Sequence, residues 1–349
     1  MKDNIVKDAN IIYMKAMAII LVVIGHTVIP FSIVNEYIYS FHVPLFFWVS
    51  GFCFKEVYLN NLFLFIKKRI VRLYLPYVIW GLVFLALHNV FVMFHIYEQY
   101  YGADLLFKLF MKTITFNHTE LLLGGFWFLR VLFISSILSV FLLKGCKTFF
   151  ARYHIYSIVL AVIILVVYNN MVVIYPFDRF GREFAASILF LTGHFFRKMR
   201  VSNLNIWVSF GILILPFIGI RYWQMHMDII PYSNDKIIPY LFIAVGVIWA
   251  LYSIFCEFAV YLNKYVSGLL NYIGGNTLLI LTWHLVIFKL VSYLIIIIYQ
   301  LPIERLSEYP TIADYSMRGW WVIYVVASVG ICCGLSRFLT VLKSIRVRN

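Results

Sequence analysis

Apolar residues in this chain come in long uninterrupted blocks, and that fixes the solvent it folds in. A helix needs about 20 apolar residues to cross the hydrocarbon core of a bilayer. Ten blocks approach that length, over about 11–31, 37–54, 73–95, 121–143, 154–175, 183–196, 204–222, 237–261, 270–299 and 319–342. The sixth is short. The ninth is long enough to tilt or break, with Gly274-Gly275 as the expected kink. The expectation is an all-α polytopic membrane protein of about ten transmembrane helices. Composition agrees: 63% of residues are hydrophobic and 13% charged, where soluble domains average about 45–50% and about 25%. The first ten residues are polar, and no small-residue cleavage site follows the apolar block that ends near Pro30. That pattern predicts a retained first helix, not a cleaved signal peptide.

The formal net charge is +14. No basic domain stands apart from the apolar blocks, so the excess reads as the positive-inside bias of membrane loops and not as a nucleic-acid surface. With ten spans, the loops on the side of the termini hold 17 basic residues against four acidic ones. The opposite loops hold eight basic residues and the other eleven acidic ones. The contrast predicts cytoplasmic N and C termini. Residues 1–349 are expected to form a single transmembrane domain with no appended soluble domain. The larger loops fall near 96–120, 223–236 and 300–318. Segment 61–72, NLFLFIKKRIVR, mixes apolar and basic residues and is expected to lie along the inner interface.

Several functions find no support. The five cysteines form no CxxC pair and no zinc spacing. There is no GxSxG, Walker A, HExxH or GxGxxG element. No metal is expected, and no nucleic-acid partner.

Ionisable residues inside spans are costly and tend to be functional. Here they are Lys15, His26, His42, Arg130, His194, His284 and Lys289. In KAMAIILVVIGH, residues 15–26, eleven positions turn an α-helix through three turns plus about 20° and raise it about 16 Å. Lys15 and His26 therefore share one line, the lysine at the cytoplasmic mouth and the histidine inside. Lys15 also reads as a snorkelling anchor, and His26 as a helix–helix hydrogen bond. In FHVPLFFWVSGF, residues 41–52, Pro44 suits a helix start and Ser50-Gly51 permits close helix approach. His42 reads either as a site residue or as a water-exposed interfacial one. KKRIVR, 67–72, puts Arg69 and Arg72 at i, i+3 on one helical face, which also suits simple anchoring. GGFWFLRVLF, 124–133, carries Trp127 and Arg130. The arginine needs a cavity or an interhelical ion pair. Arg182 and Glu183 sit in DRFGRE, a site element or a solvated loop. His284 in LILTWHLVIF pairs with His26 or faces a cavity. His194 is expected to be structural, and Lys289 is too isolated to assign.

Together these segments resemble the membrane acyltransferase-3 superfamily, and within it the bacterial fucose 4-O-acetylase type of O-acetyltransferase. KAMAIILVVIGH is similar to the family's basic residue, ten-residue gap and histidine. FHVPLFFWVSGF is similar to its second-helix pattern and RIVR to its Arg-x-x-Arg element. GGFWFL and TWH match weaker patterns. The resemblance covers essentially the whole chain. One position departs from it: family members commonly carry an aspartate three residues before the basic residue, where this chain has Ile12.

The resemblance implies an acyl-CoA donor, usually acetyl-CoA, on the cytoplasmic side, and a hydroxyl of a carbohydrate or lipid-linked sugar as acceptor. Lys15, Lys67, Lys68, Arg69 and Arg72 would then meet the CoA phosphates. His26 would serve as general base, with Arg130, Trp127 and His284 as candidate donors to the oxyanion. His42, Trp127, Arg182 and Glu183 would line the acceptor side. Membrane lipid is the surrounding partner, and a homo-oligomer is compatible with the sequence. The competing class is an exporter of polysaccharide or acylated sugar, which needs no thioester. A structural or sensory membrane protein leaves the aligned Lys15–His26 pair unexplained.

Overall fold

The computed structural model describes residues 2–170, 180–225, 227–229 and 236–348. Among them the secondary structure is helical throughout. The helices are α1 (Lys2–Gly25), α2 (Ser32–Tyr39), α3 (His42–Phe52), α4 (Leu62–Met93), α5 (Ala103–Ile114), α6 (Trp127–Phe149), α7 (Tyr153–Asn170), α8 (Gly181–Met199), α9 (Ile206–Trp223), α10 (Ile237–Phe258), α11 (Lys264–Gly275), α12 (Thr277–Tyr299) and α13 (Trp321–Arg348). Among the described residues, seven helical stretches are long and apolar enough to cross a membrane: Leu62–Met93, Leu121–Phe149, Tyr153–Asn170, Ile206–Trp223, Ile237–Tyr261, Thr277–Tyr299 and Ala313–Phe338. The chain is a multi-pass membrane protein.

Three of the ten expected spans fall short of that standard. The apolar part of α1 covers only Ala9–Gly25. The block 37–54 divides into α2 and the 11-residue α3. Helix α8 carries Arg182, Glu183, Arg197 and Lys198 and is buried around most of its circumference. It is a core helix by its surroundings. The end of the expected 154–175 span beyond Asn170, and Asp178 and Arg179, lie outside the described residues.

Other boundaries shift for local reasons. Segment 62–69 is the first part of α4 and runs on through a π turn at Ile70–Tyr74, so it belongs to one long helix. Helix α9 breaks at 213–214, ahead of Pro216, which lacks the N–H that a helix interior needs. The expected kink near Gly274-Gly275 is a full break at Asn276. Its side chain bridges the gap, donating to Tyr272 O at 2.8 Å and accepting from Ser336 Oγ at 2.7 Å. Residues 96–120, expected as loop, contain the amphipathic helix α5. Before α13, Gly319 takes φ +108° inside a π turn, a conformation side chains disfavour.

The contacts divide into two compact units. One comprises Met1–Met14, Ile33–Tyr74 and Phe128–Asn263; the other comprises Lys15–Ser32, Leu75–Trp127 and Lys264–Asn349. In the first, α3 and α8 form the centre. A Cβ on Gly51 would collide with the Phe190 carbonyl, and one on Gly193 with the Trp48 carbonyl. Two backbones can approach this closely only where side chains are absent, which is what Ser50-Gly51 suggests in the sequence. Leu45, Phe47, Trp48, Leu189 and Phe190 are fully buried around this contact. In the second unit the buried layer includes Phe126, Ile280, Phe288 and Tyr324. Exposed Phe63, Phe107, Trp207, Phe242 and Leu290 provide an apolar exterior suited to acyl chains.

Gly51→Val and Gly193→Val are expected to lower the thermal midpoint and the monodisperse yield in detergent. Overpacking costs typically about 1–3 kcal/mol, and here the obstacle is backbone, which yields least. Gly145→Ala, whose Cβ meets nothing within 4 Å, is the matched control.

Candidate active site

Helix α1 ends at Gly25, and His26 sits on its closing turn. The His26 N–H reaches the carbonyls of Val22 at 3.2 Å and Val23 at 3.3 Å. Lys15 lies in the helix ten residues before that end, so the spacing read from the sequence rests on one continuous helix. Both side chains are half-buried. The His26 ring stands where the helix stops, and not in its middle.

The partner of His26 is His284. Their ring centroids are 5.1 Å apart with planes tilted by 45°. His284 is wholly buried. Its Nδ1 lies 3.0 Å from the carbonyls of both Ile280 and Leu281, one turn back on α12. A carbonyl only accepts, so the shared proton sits on Nδ1, and Nε2 is the nitrogen with its lone pair free in the neutral ring. Nε2 has no hydrogen-bond partner among the described residues. The ring is held from several sides. Phe288 packs edge-on at 5.8 Å, Ser328 Oγ donates to the His284 carbonyl at 3.3 Å, and a Cβ on Gly125 would stand 4.0 Å from its Cε1. Gly125 belongs to the 3₁₀ segment Leu121–Phe126 that leads into α6. Trp127, half-buried, is the first residue of α6. The contact with His26 is one of the two readings the sequence offered for His284.

The other sequence candidates lie in the first unit. Arg130 Nη2 stands 3.4 Å from Glu183 Oε1, and the Glu183 side chain is completely buried. The interhelical ion pair foreseen for Arg130 is therefore present, and its partner is a residue expected to line the acceptor side. The Arg130 guanidinium also lies 5.9 Å from the Phe180 ring centroid. Arg182 is half-buried. His42 is 3% exposed, with Nδ1–H donating to Ile38 O at 2.6 Å and Tyr39 packed edge-on at 4.9 Å. The water-exposed reading of His42 is thus incorrect: α2 folds back over it.

The basic segment divides in two. Arg69 is half-buried, donates to Ser50 Oγ at 2.9 Å and lies 4.9 Å from the centroid of Phe65. Lys67, Lys68 and Arg72 are exposed, and Lys68 donates to Tyr58 Oη at 2.7 Å. A π turn beginning at Ile70 lies between Arg69 and Arg72, so the spacing that joins them is not that of a regular α-helix.

The partners that build several other polar centres were not visible in the sequence. Lys289 is a clamp, donating to Leu306 O at 2.9 Å and Glu308 O at 2.5 Å. In the second unit Glu120 accepts from His88 at 2.9 Å and His118 at 3.2 Å, and the His88 ring stacks on Tyr101 at 3.4 Å. In the first, Glu56 gathers Lys198 at 2.8 Å and Tyr153 Oη at 2.8 Å, with His194 Nε2 at 3.7 Å. Burial raises the Glu56 pKa, but the hydrogen bonds from Lys198 and Tyr153 outweigh it and hold the carboxyl below its ordinary value. His194 was expected to be structural, and its neighbours carried no local signal: Glu56 lies 142 residues before Lys198, and His154 stands on another helix.

A family model described as an acyltransferase domain matches residues 8–337. The chain belongs to this acyltransferase-3 family. No curated protein and no solved structure matches it.

Arg130→Met should be strongly destabilising, by about 3–5 kcal/mol, because it strands a buried carboxylate. The double variant Arg130→Met/Glu183→Leu should recover most of that loss. Thermal unfolding of the four proteins in detergent closes the cycle, and additive losses would deny the pair.

Proposed function

We propose that this membrane acyltransferase is an O-acetyltransferase, moving acetyl from cytoplasmic acetyl-CoA to a hydroxyl of a cell-surface carbohydrate or its lipid-linked precursor in a bacterial inner membrane. The observation that carries the reading is the His26–His284 ring pair in a chain of this family. In this mechanism His26 takes the proton of the acceptor hydroxyl as its oxygen attacks the thioester carbonyl carbon. The tetrahedral oxyanion collapses, the C–S bond breaks, and the proton held by His26 passes to the departing thiolate, leaving ester and free CoA.

His284 is the second imidazole. With its Nδ1 proton committed to α12, its Nε2 side is the one that orients His26 or takes up charge developing on it. Lys15, Lys67, Lys68, Arg69 and Arg72 are the proposed contacts of the CoA phosphates. Guanidinium and ammonium groups are suited to these, with Arg69 already braced by Ser50. Trp127 and Arg130 are proposed donors toward the oxyanion. His42, Trp127, Arg182 and Glu183 are proposed for the acceptor. The buried carboxylate of Glu183 keeps Arg130 aligned.

The test uses membranes supplied with labelled acetyl-CoA, comparing wild type with His26→Ala and His284→Gln. Label should enter a glycan or lipid-linked sugar in wild type. It should fall to background in His26→Ala, with the protein still monodisperse in detergent. His284→Gln should lower kcat about 10²–10⁴-fold, in the range of acid–base assistance, with little change in KM for acetyl-CoA. Full activity of His26→Ala would remove this mechanism. Glycan export that proceeds without any thioester would assign the chain to the exporter class instead.

A further inference from the structure

We propose that Glu56, His154 and His194 form a binding site for one zinc-type divalent metal ion, separate from the histidine pair on α1 and α12. Glu56 lies in the turn after α3, His154 is the second residue of α7, and His194 is near the end of α8. Their donor atoms all lie within 4.8 Å of one another. The two imidazoles are 9% and 2% exposed, with ring centroids 5.8 Å apart at 57°. Nδ1 of His154 and both ring nitrogens of His194 are buried with no hydrogen-bond partner among the described residues. Buried polar atoms are almost always satisfied, so two such histidines facing one carboxylate point to a ligand.

The donor set indicates its chemistry. Two imidazoles and one carboxylate are a zinc-type set with a fourth position open, at metal–ligand distances of about 2.0–2.2 Å. Tetrahedral donors at that radius stand roughly 3.4 Å apart, so the three groups need only small side-chain rotations to close on an ion. Imidazole nitrogen favours zinc, cobalt or nickel over magnesium or calcium. The Tyr153 hydroxyl, donating to Glu56 Oε1 at 2.8 Å, is an outer partner that orients the ligating carboxylate.

Lys198 is the competitor. Its ammonium lies 2.8 Å from Glu56 Oε1 and neutralises the carboxylate that a metal would use. The Lys198 side chain is 43% exposed, so it can turn to solvent when a dication arrives. Glu56 is thus shared between an internal cation and an external one. The bound ion would join the turn after α3 to α7 and α8, two helices already packed together.

The experiment uses the full chain, purified in detergent without a histidine tag, stripped with chelator and titrated with Zn²⁺, Co²⁺ and Mg²⁺. Wild type should bind one Zn²⁺ per chain, show visible ligand-field bands with Co²⁺, ignore Mg²⁺ and gain thermal stability with Zn²⁺. His154→Ala and His194→Ala should each lose the stoichiometric site, and Tyr153→Phe should weaken it about tenfold. Lys198→Met, at an exposed position with little risk to folding, should bind Zn²⁺ more tightly than wild type. Failure of both wild type and Lys198→Met to bind stoichiometrically would overturn the proposal. So would histidine variants that remain monodisperse and bind as well as wild type.

Discussion

Hydrocarbon offers no hydrogen bonds, so each polar group carried into it has to be answered from within the protein. Much of this structure follows from that condition. Lys289 reaches two backbone carbonyls beyond the end of its own helix. Arg130 faces Glu183 across a helix pair. Asn276 fills the break between α11 and α12 with its own side chain. His88 places one nitrogen on Glu120 and the other on Gln99 O, between stacked tyrosines. Among the described residues, His284, His154 and His194 carry buried ring nitrogens without such an answer, and these are where ligand chemistry is proposed.

The apolar blocks made the all-helical membrane architecture legible, because span length is set by bilayer thickness and needs no tertiary information. Packing inside the bundle was less legible. Blocks 37–54 and 183–196 hold helices largely buried in protein, and α3 and α8 meet each other at Gly51 and Gly193. A buried helix and a lipid-facing one look alike in a hydropathy scan.

Within the candidate site, Lys15 and His26 were legible because helical spacing relates them along one element. Arg130 announced its need for a partner, though not which one, since Glu183 is 53 residues away on another helix. His284 beside His26 is a contact between the first and a late helix, which no local spacing encodes. The π turn between Arg69 and Arg72 was not legible, because it is an inserted residue in the hydrogen-bond ladder and nothing in IVRLY demands it.

The tether of His284 Nδ1 to Ile280 and Leu281 bears on bioenergetics. A histidine that handles protons through both nitrogens can act as a wire, accepting on one edge and releasing on the other. Across an energised membrane such a wire is a leak. Here one edge is closed by the helix's own carbonyls, so any proton taken by Nε2 must leave by the same nitrogen. In the proposed mechanism the ring would help the reaction at its open edge without passing protons through to the other.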